Sequence, residues 1–381
     1  MAISFFNYSE RFKDLPERLP TLIEAHCASG QFILKESVLS FENALSQFLQ
    51  DKMTMHTNVY CSGVSSASMG MTIALKALGI GPGDEVITPA YSYVSTASAI
   101  VSVGATPVFV DVEPKTFMLC PEAVIEKVTA RTKAVIAVHL YRRLMDVAAL
   151  KSALPKHISI LEDSATCLGG VIDGVPAGLT GDIGVYSFFP AKPLGGLGDA
   201  GIIVTKDKKL HRKCNMYRNH GQDGQVRFTH FLLGYNSRMD DINAAFLQYK
   251  LSHLDNHNAR RREIAEFYDK VIDELGWIRQ KSLMPTSVVT EVPYSYVFLC
   301  DKPKELIEFL QDHGIEAKQG FPLALTAQPA FLPWVENVDS FAHANKIAQQ
   351  AVALPTYPEL SDAALLEVRE VLSAFVRRDN D

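Results

Sequence analysis

Between residues 85 and 205 the chain repeats one pattern, a short apolar run followed by a helical stretch. The runs fall at 85–88, 106–111, 134–139, 158–161, 184–188 and 201–205, with helices expected at 94–103, 121–130, 146–154 and 207–217. The runs are almost continuously apolar rather than alternating, which is what a strand needs when both of its faces are covered. Strands of that kind separated by helices predict an α/β fold around a mostly parallel sheet. Ligands of such sheets collect beyond the carboxyl ends of the strands. Asp163 and Ser187 fall there.

Residues 17–50 read as helical, since Phe41, Ala44, Leu45, Phe48 and Leu49 recur on one face. The small-residue segment 61–68 reads as a loop that opens the next helix. After residue 242 the pattern changes to one long charged helix over 240–274, an apolar run at 295–299, and helices near 303–313 and 361–377. This divides the chain into a large domain over 1–250 and a smaller C-terminal α/β domain over 251–381. With 381 residues, 47% of them hydrophobic, both can bury a core. The formal net charge of −6 gives no electrostatic basis for nucleic-acid binding. Six scattered cysteines without a Cys-x-x-Cys pair argue against a zinc knuckle or a disulfide framework, and fit a reducing cytoplasm. No signal-peptide pattern opens the chain, and no apolar run reaches the roughly 18 residues that span a bilayer.

The candidate chemistry lies at the ends of two of the strands. Lys192 stands in Ser187-Phe-Phe-Pro-Ala-Lys192-Pro-Leu-Gly, and Asp163 closes the run 158–161. A lysine in such a place can form a Schiff base with pyridoxal 5′-phosphate (PLP), while an aspartate pairs with the protonated pyridine nitrogen. Two glycine patterns carry no nucleotide fingerprint. Gly79-Ile-Gly-Pro-Gly83 follows a helix and precedes a strand, the reverse of the required order, and Gly195-Gly-Leu-Gly198 runs into a strand.

Together with Pro82-Gly-Asp-Glu-Val-Ile-Thr-Pro89, Gly104-Ala-Thr-Pro-Val-Phe-Val-Asp111, Gly198-Asp-Ala-Gly201, Arg218-Asn-His-Gly221 and Gly234-Tyr-Asn-Ser-Arg238, these segments resemble the DegT/DnrJ/StrS family. Its members are PLP-dependent sugar aminotransferases of fold type I, in the aspartate aminotransferase superfamily. The likeness runs in collinear order from residue 31 to residue 355. It implies a seven-stranded sheet and catalytic roles for Lys192 and Asp163. It also implies phosphate contacts from Ser68, Met69 and Ser187, a ring-stacking Tyr93, and Thr166 near the cofactor's phenolic oxygen. Asn236 and Arg238 are implied to reach the active site of a neighbouring subunit, hence a homodimer.

Several positions depart from the family pattern. Thr166 replaces a glutamine. Arg142 and Arg143 stand in a shortened loop where a glycine is usual, open to contact with an anionic substrate or with solvent. Gly320 replaces a histidine, and 324–329 reads Ala-Leu-Thr-Ala-Gln-Pro. The implied activity is transfer of an amino group from L-glutamate to a keto-sugar, nucleotide-linked through dTDP, UDP or GDP. The alternatives are a keto-cyclitol acceptor and a catalytically silent PLP-binding regulator.

Overall fold

The computed structural model describes residues 2–282, 284 and 286–380, with side chains to residue 378. Seven strands form the large sheet: β1 (Tyr60–Val64), β2 (Glu85–Pro89), β3 (Thr106–Val110), β4 (Thr132–Val138), β5 (Ser159–Asp163), β6 (Ile183–Ser187) and β7 (Gly201–Thr205). Their order is β1-β7-β6-β5-β4-β2-β3. All neighbours from β6 through β5, β4 and β2 to β3 are parallel. Only β7 runs against its neighbours, pairing antiparallel with β1 and β6. Six of these strands are the apolar runs of the sequence.

The seventh, β1, is the segment that reads as a loop. Its composition is poor for a strand because Gly63 lies against Met239, whose Cβ would be 3.2 Å from any Cβ at position 63. β1 is an edge strand, and its outward backbone groups are capped rather than left open. Glu42 accepts the Gly63 N–H at 2.7 Å, and the Arg218 guanidinium donates to the Gly63 carbonyl at 2.8 Å and to Glu42.

The helix expected over 17–50 is two helices, Leu15–Ser29 and Glu36–Gln50. Gly30 ends the first in the left-handed region (φ 67°). The second has no capping side chain of its own. The buried Asp241 carboxylate takes the N–H groups of Lys35, Ser37 and Val38 at 3.0–3.2 Å. The helix expected over 240–274 breaks at residues 252–253 into Asp241–Leu251 and Leu254–Glu274.

A second, four-stranded antiparallel sheet contains Ile278–Arg279, Tyr296–Leu299, Ala351–Leu354 and Lys318–Gln319, in that order. Tyr268, Tyr296, Phe298, Leu310, Val352 and Leu372 are in its core. Ile3 joins that core from the far end of the chain, exchanging backbone hydrogen bonds with Gly314 and Glu316. Among the described residues no helix is long and apolar enough to cross a membrane.

Asp241→Ala strips the cap from the helix Glu36–Gln50 and leaves buried N–H groups unpaired. It should cost roughly 2–3 kcal/mol. Urea unfolding measures this, and a loss below about half a kcal/mol would mean that water replaces the carboxylate.

Candidate active site

At the end of β5 two carboxylates stand side by side in sequence and face opposite ways, as successive strand residues do. Glu162 points into the protein with no solvent exposure. Its oxygens accept the N–H groups of Gly178 and Gly181 and a hydrogen bond from His139 Nε2 at 2.9 Å. The tautomer follows from the other ring nitrogen, since His139 Nδ1 accepts the Met145 N–H at 3.0 Å. Burial pushes the Glu162 pKa up, but His139 and the two N–H groups win and hold it below the ordinary value.

Asp163 faces the pocket. It is buried, and desolvation raises its pKa against the opposing pull of the Thr96 hydroxyl, the Ala165 N–H, Lys192 and His139. Thr96, in the helix Val94–Ser102, donates to Oδ2 at 2.9 Å, and the Ala165 N–H reaches Oδ1 at 3.3 Å.

Lys192 follows β6 in a tight turn closed by Lys192 N–H to Phe189 O and Gly196 N–H to Phe188 O. Gly195 holds a positive φ of 64° there. The ammonium lies 4.2 Å from the centre of the Tyr294 ring.

The third element is the N-terminus of the helix Ala67–Ala77, capped by Ser66, whose hydroxyl accepts the Met69 N–H at 3.2 Å. The N–H groups of Ala67 and Ser68 have no carbonyl a turn earlier to bind, so this helix end suits an anion. Ser68 Oγ lies 2.6 Å from Ser95 Oγ. Gly201 of β7 passes so close that a Cβ would be 2.5 Å from the Ala67 nitrogen.

These elements enclose a pocket of about 440 Å³, within the usual range of roughly 300–1,000 Å³ for small-molecule sites. Six of the eight expected site residues line it together: Ser68, Tyr93, Asp163, Thr166, Ser187 and Lys192. Met69 lies outside the lining. Asn236 lies outside it too, exposed, with Ser237 and Arg238 beside it tied to Arg218 and Asn219. The sequence reading missed Ser66, Ser95, Asp199, Tyr141, Tyr294 and Phe321, which also line the pocket, and Thr96 behind it. Asp199 sits in the quoted Gly-Asp-Ala-Gly motif and could have been singled out. The aromatic residues could not, because no pattern separates them from core.

This set fits PLP. A desolvated carboxylate and an amine share one chamber with a helix end and several serine hydroxyls, while Tyr93 offers an exposed ring. Asp163 would hold the ring nitrogen, Lys192 the aldehyde carbon, and the helix end with Ser68 and Ser187 the phosphate.

The departures are also explained. Thr166 donates to the His139 carbonyl at 3.2 Å. Arg142 and Arg143 do neither of the things the sequence left open. Arg142 is buried and forks onto Asp269, and Arg143 pairs with Glu291 and reaches the Gln280 carbonyl. Both are absent from the pocket wall, because carboxylates from distant elements have claimed them. A Cβ on Gly320 would lie about 2.9–3.0 Å from Ala351 Cβ and the hydroxyls of Tyr141 and Tyr91. Those hydroxyls are 2.8 Å apart and bind the Phe321 N–H. The space beside Gly320 is thus filled by two phenols.

Residues 14–373 match the model of the DegT/DnrJ/EryC1/StrS aminotransferase family. The chain is 35% identical over 99% of its length to a pleiotropic regulatory protein of Geobacillus stearothermophilus, covering 99% of that protein. It is 32% identical to UDP-2-acetamido-2-deoxy-3-oxo-D-glucuronate aminotransferase of Pseudomonas aeruginosa, over 95% of this chain and 97% of that one. Among solved structures, S. venezuelae DesV in complex with a ketimine intermediate superimposes with a TM-score of 0.92 at 30% identity, over 98% of both chains. NtdA of Bacillus subtilis with bound cofactor PMP gives 0.87 at 25% identity, over 99% of this chain and 85% of that one. The chain belongs to the DegT/DnrJ/EryC1/StrS family and is a PLP-dependent aminotransferase.

Proposed function

We propose that the protein transfers the amino group of L-glutamate to the ketone of a nucleotide-linked sugar. The observation that carries this is the single chamber shared by Lys192, the desolvated Asp163 and the serine-lined helix end. Relatives named as aminotransferases of UDP-, dTDP- and GDP-linked sugars support the acceptor class.

PLP, when bound, supplies an electron sink for the carbon that loses or gains a proton. Lys192 Nζ would take the α-proton from the amino donor as general base and give a proton back, on the same face, at the cofactor's aldehyde carbon as general acid. Asp163 keeps the ring nitrogen protonated from its desolvated seat. Thr96 and the Ala165 N–H hold the Asp163 carboxylate in place. The hydroxyls of Ser68 and Ser187 and the N–H groups of Ala67 and Ser68 bind the phosphate, and Tyr93 covers one ring face. Thr166 stands near the phenolic oxygen with its hydrogen already committed to His139. Met69 contributes only through the helix end that it continues.

Asn236, with Arg238, completes the phosphate site of a second subunit. This accords with the exposed apolar residues Val226, Phe228, Phe231 and Leu233 on the preceding segment, a strip suited to cover by another chain. Light scattering of the purified protein should therefore give the mass of a homodimer; a monomer would remove Asn236 from any active site. A cytoplasmic location matches the cysteine usage. A silent PLP-binding regulator is the second reading, favoured by the names of two relatives, a pleiotropic regulatory protein and a sensory transduction protein.

The visible spectrum separates the readings. With PLP the wild type should show a lysine-linked band that vanishes on addition of L-glutamate, and Lys192→Ala should show neither. Turnover with keto-sugar nucleotides should fall about 10²–10⁴-fold in that variant. A band that persists with glutamate would favour the regulator.

Asp163 gives a test by pH. Its folded pKa is raised, so the fold holds the proton more tightly than the unfolded chain. The stability that proton contributes is present below the ordinary carboxylate range and is lost as pH rises through the folded value. Cofactor-free Asp163→Asn should accordingly melt no lower than wild type at pH 8, with the difference vanishing in acid, while its PLP affinity drops. A clear loss of thermal stability at pH 8 would contradict the desolvated carboxyl.

A further inference from the structure

We propose that Arg11 is a positioning residue for Lys192, gripping the carbonyl side of the lysine turn and so fixing where the amine stands. Its Nη2 donates to two successive carbonyls, Lys192 O at 2.5 Å and Pro193 O at 2.8 Å. Among the described residues no other side chain donates to either carbonyl. The turn is moulded to the guanidinium. A Cβ at Gly195 would lie 2.9 Å from Arg11 Nη2 and 2.4 Å from the Pro190 carbonyl, and Gly195 holds φ 64°. A side chain there would push the guanidinium off the carbonyls. This assignment rests on the reading of Lys192 as the cofactor lysine.

Arg11 arrives on a strap, residues 3–12, that touches Lys192 from two directions. Its first residues are tied to the second sheet's unit: Ile3 exchanges hydrogen bonds with Gly314 and Glu316, and the Phe5 N–H binds Glu316 Oε2 at 2.9 Å. Phe5 and Phe6 then form pocket wall. Phe6 stacks on Tyr294 with centroids 6.0 Å apart, and Tyr294 is the ring lying 4.2 Å from the Lys192 ammonium. One helical turn later Arg11 reaches the lysine's own backbone. The amine is therefore steadied from its tip through Tyr294 and from its root through Arg11. The strap links both to the unit that supplies Lys318, Gln319 and Gly320 to the pocket.

A guanidinium used merely to fill space would be replaceable by a long apolar chain. Arg11 instead brings a charge as well as two hydrogen bonds. Its ionisable neighbours are Glu359, Tyr8, Tyr294, Lys250, His257 and Arg261. Losing the charge should make it easier to protonate the nitrogen by which Lys192 is linked to PLP.

The test uses PLP-loaded wild type, Arg11→Met, Arg11→Lys and the control Glu10→Ala, which alters an exposed strap residue paired with Lys13. Three quantities are read: the pH titration of the visible band, the glutamate half-reaction as kcat and KM, and the melting temperature. Arg11→Met should raise the apparent pKa of the band by roughly one unit. It should also slow the half-reaction about 10- to 100-fold at nearly unchanged KM. Arg11→Lys should restore the titration but only part of the rate, and Glu10→Ala should match wild type throughout. Should Arg11→Met fail to fold, Arg11→Gln keeps a donor without the charge and should shift the band in the same sense. Wild-type titration and rates in the Arg11 variants, with or without a lower melting temperature, would overturn the proposal. A wild type with no lysine-linked band would sink the cofactor reading, and this one with it.

Discussion

The active-site wall depends on a carboxylate that never meets it. Glu162 has no solvent, and an unpaired charge there would cost several kcal/mol. It is tolerated because His139 and the N–H groups of Gly178 and Gly181 surround it. That network pins three pieces of chain: the end of β4 through His139, the end of β5, and the loop leading into β6. Asp163 is the next residue along β5. Its burial at the pocket floor is held by a strand end that cannot shift without exposing Glu162's charge. The glycines are part of this arrangement. A Cβ at Gly181 would lie 2.7 Å from the Ile160 carbonyl and 3.2 Å from Glu162 Oε1.

A second constraint acts at the sheet's other side. β1 lies at the edge of the sheet and leads directly into the helix that begins at Ala67. The ion pair of Glu42 and Arg218 caps the open backbone of β1, and Asp241 caps the helix that carries Glu42. Arg218 in turn takes the N–H of Ser237 on its carbonyl, next to Asn236. The helix end proposed for phosphate and the segment proposed to face a second subunit are thus braced by the same buried charges. Single buried pairs of this kind add little net stability but fix geometry, since losing one partner strands the other.

Much of this was legible in sequence. The six apolar runs gave the strands because parallel strands buried on both faces leave an unmistakable composition. Lys192 and Asp163 could be picked out because they follow or close buried strands, and the structure brings both to one pocket. What escaped has a common cause, contacts made across long stretches of chain. β1 was hidden because Gly63 answers to Met239 and Glu42, not to strand propensity. The breaks at Gly30 and at residues 252–253 lie inside runs whose helical period continues on either side. The partners of Arg142 and Arg143 are Asp269 and Glu291, which no local pattern connects to them. Thr96 was silent for the same reason. It reads as a helix residue and acts as Asp163's hydrogen-bond donor.

The residues that stand out as unusual in the sequence, Arg142, Arg143 and Gly320, are all tied into packed contacts of their own. With both arginines committed to carboxylates, the lysine and arginine side chains lining the pocket among the described residues are Lys192 and Lys318. Lys318 lies over the Phe5 ring at 4.8 Å, on the rim formed by the N-terminal strap. The space beside Gly320 is taken by the hydroxyls of Tyr91 and Tyr141, and Tyr141 in turn stacks on Phe321 with centroids 5.6 Å apart. The result is a neutral, aromatic wall fixed by a phenol–phenol hydrogen bond. Such a wall recognises a ring by its apolar faces and by few, directional hydroxyl contacts. The exposed Lys318 thus stands apart from that wall, and Lys192 is the other cation in the lining.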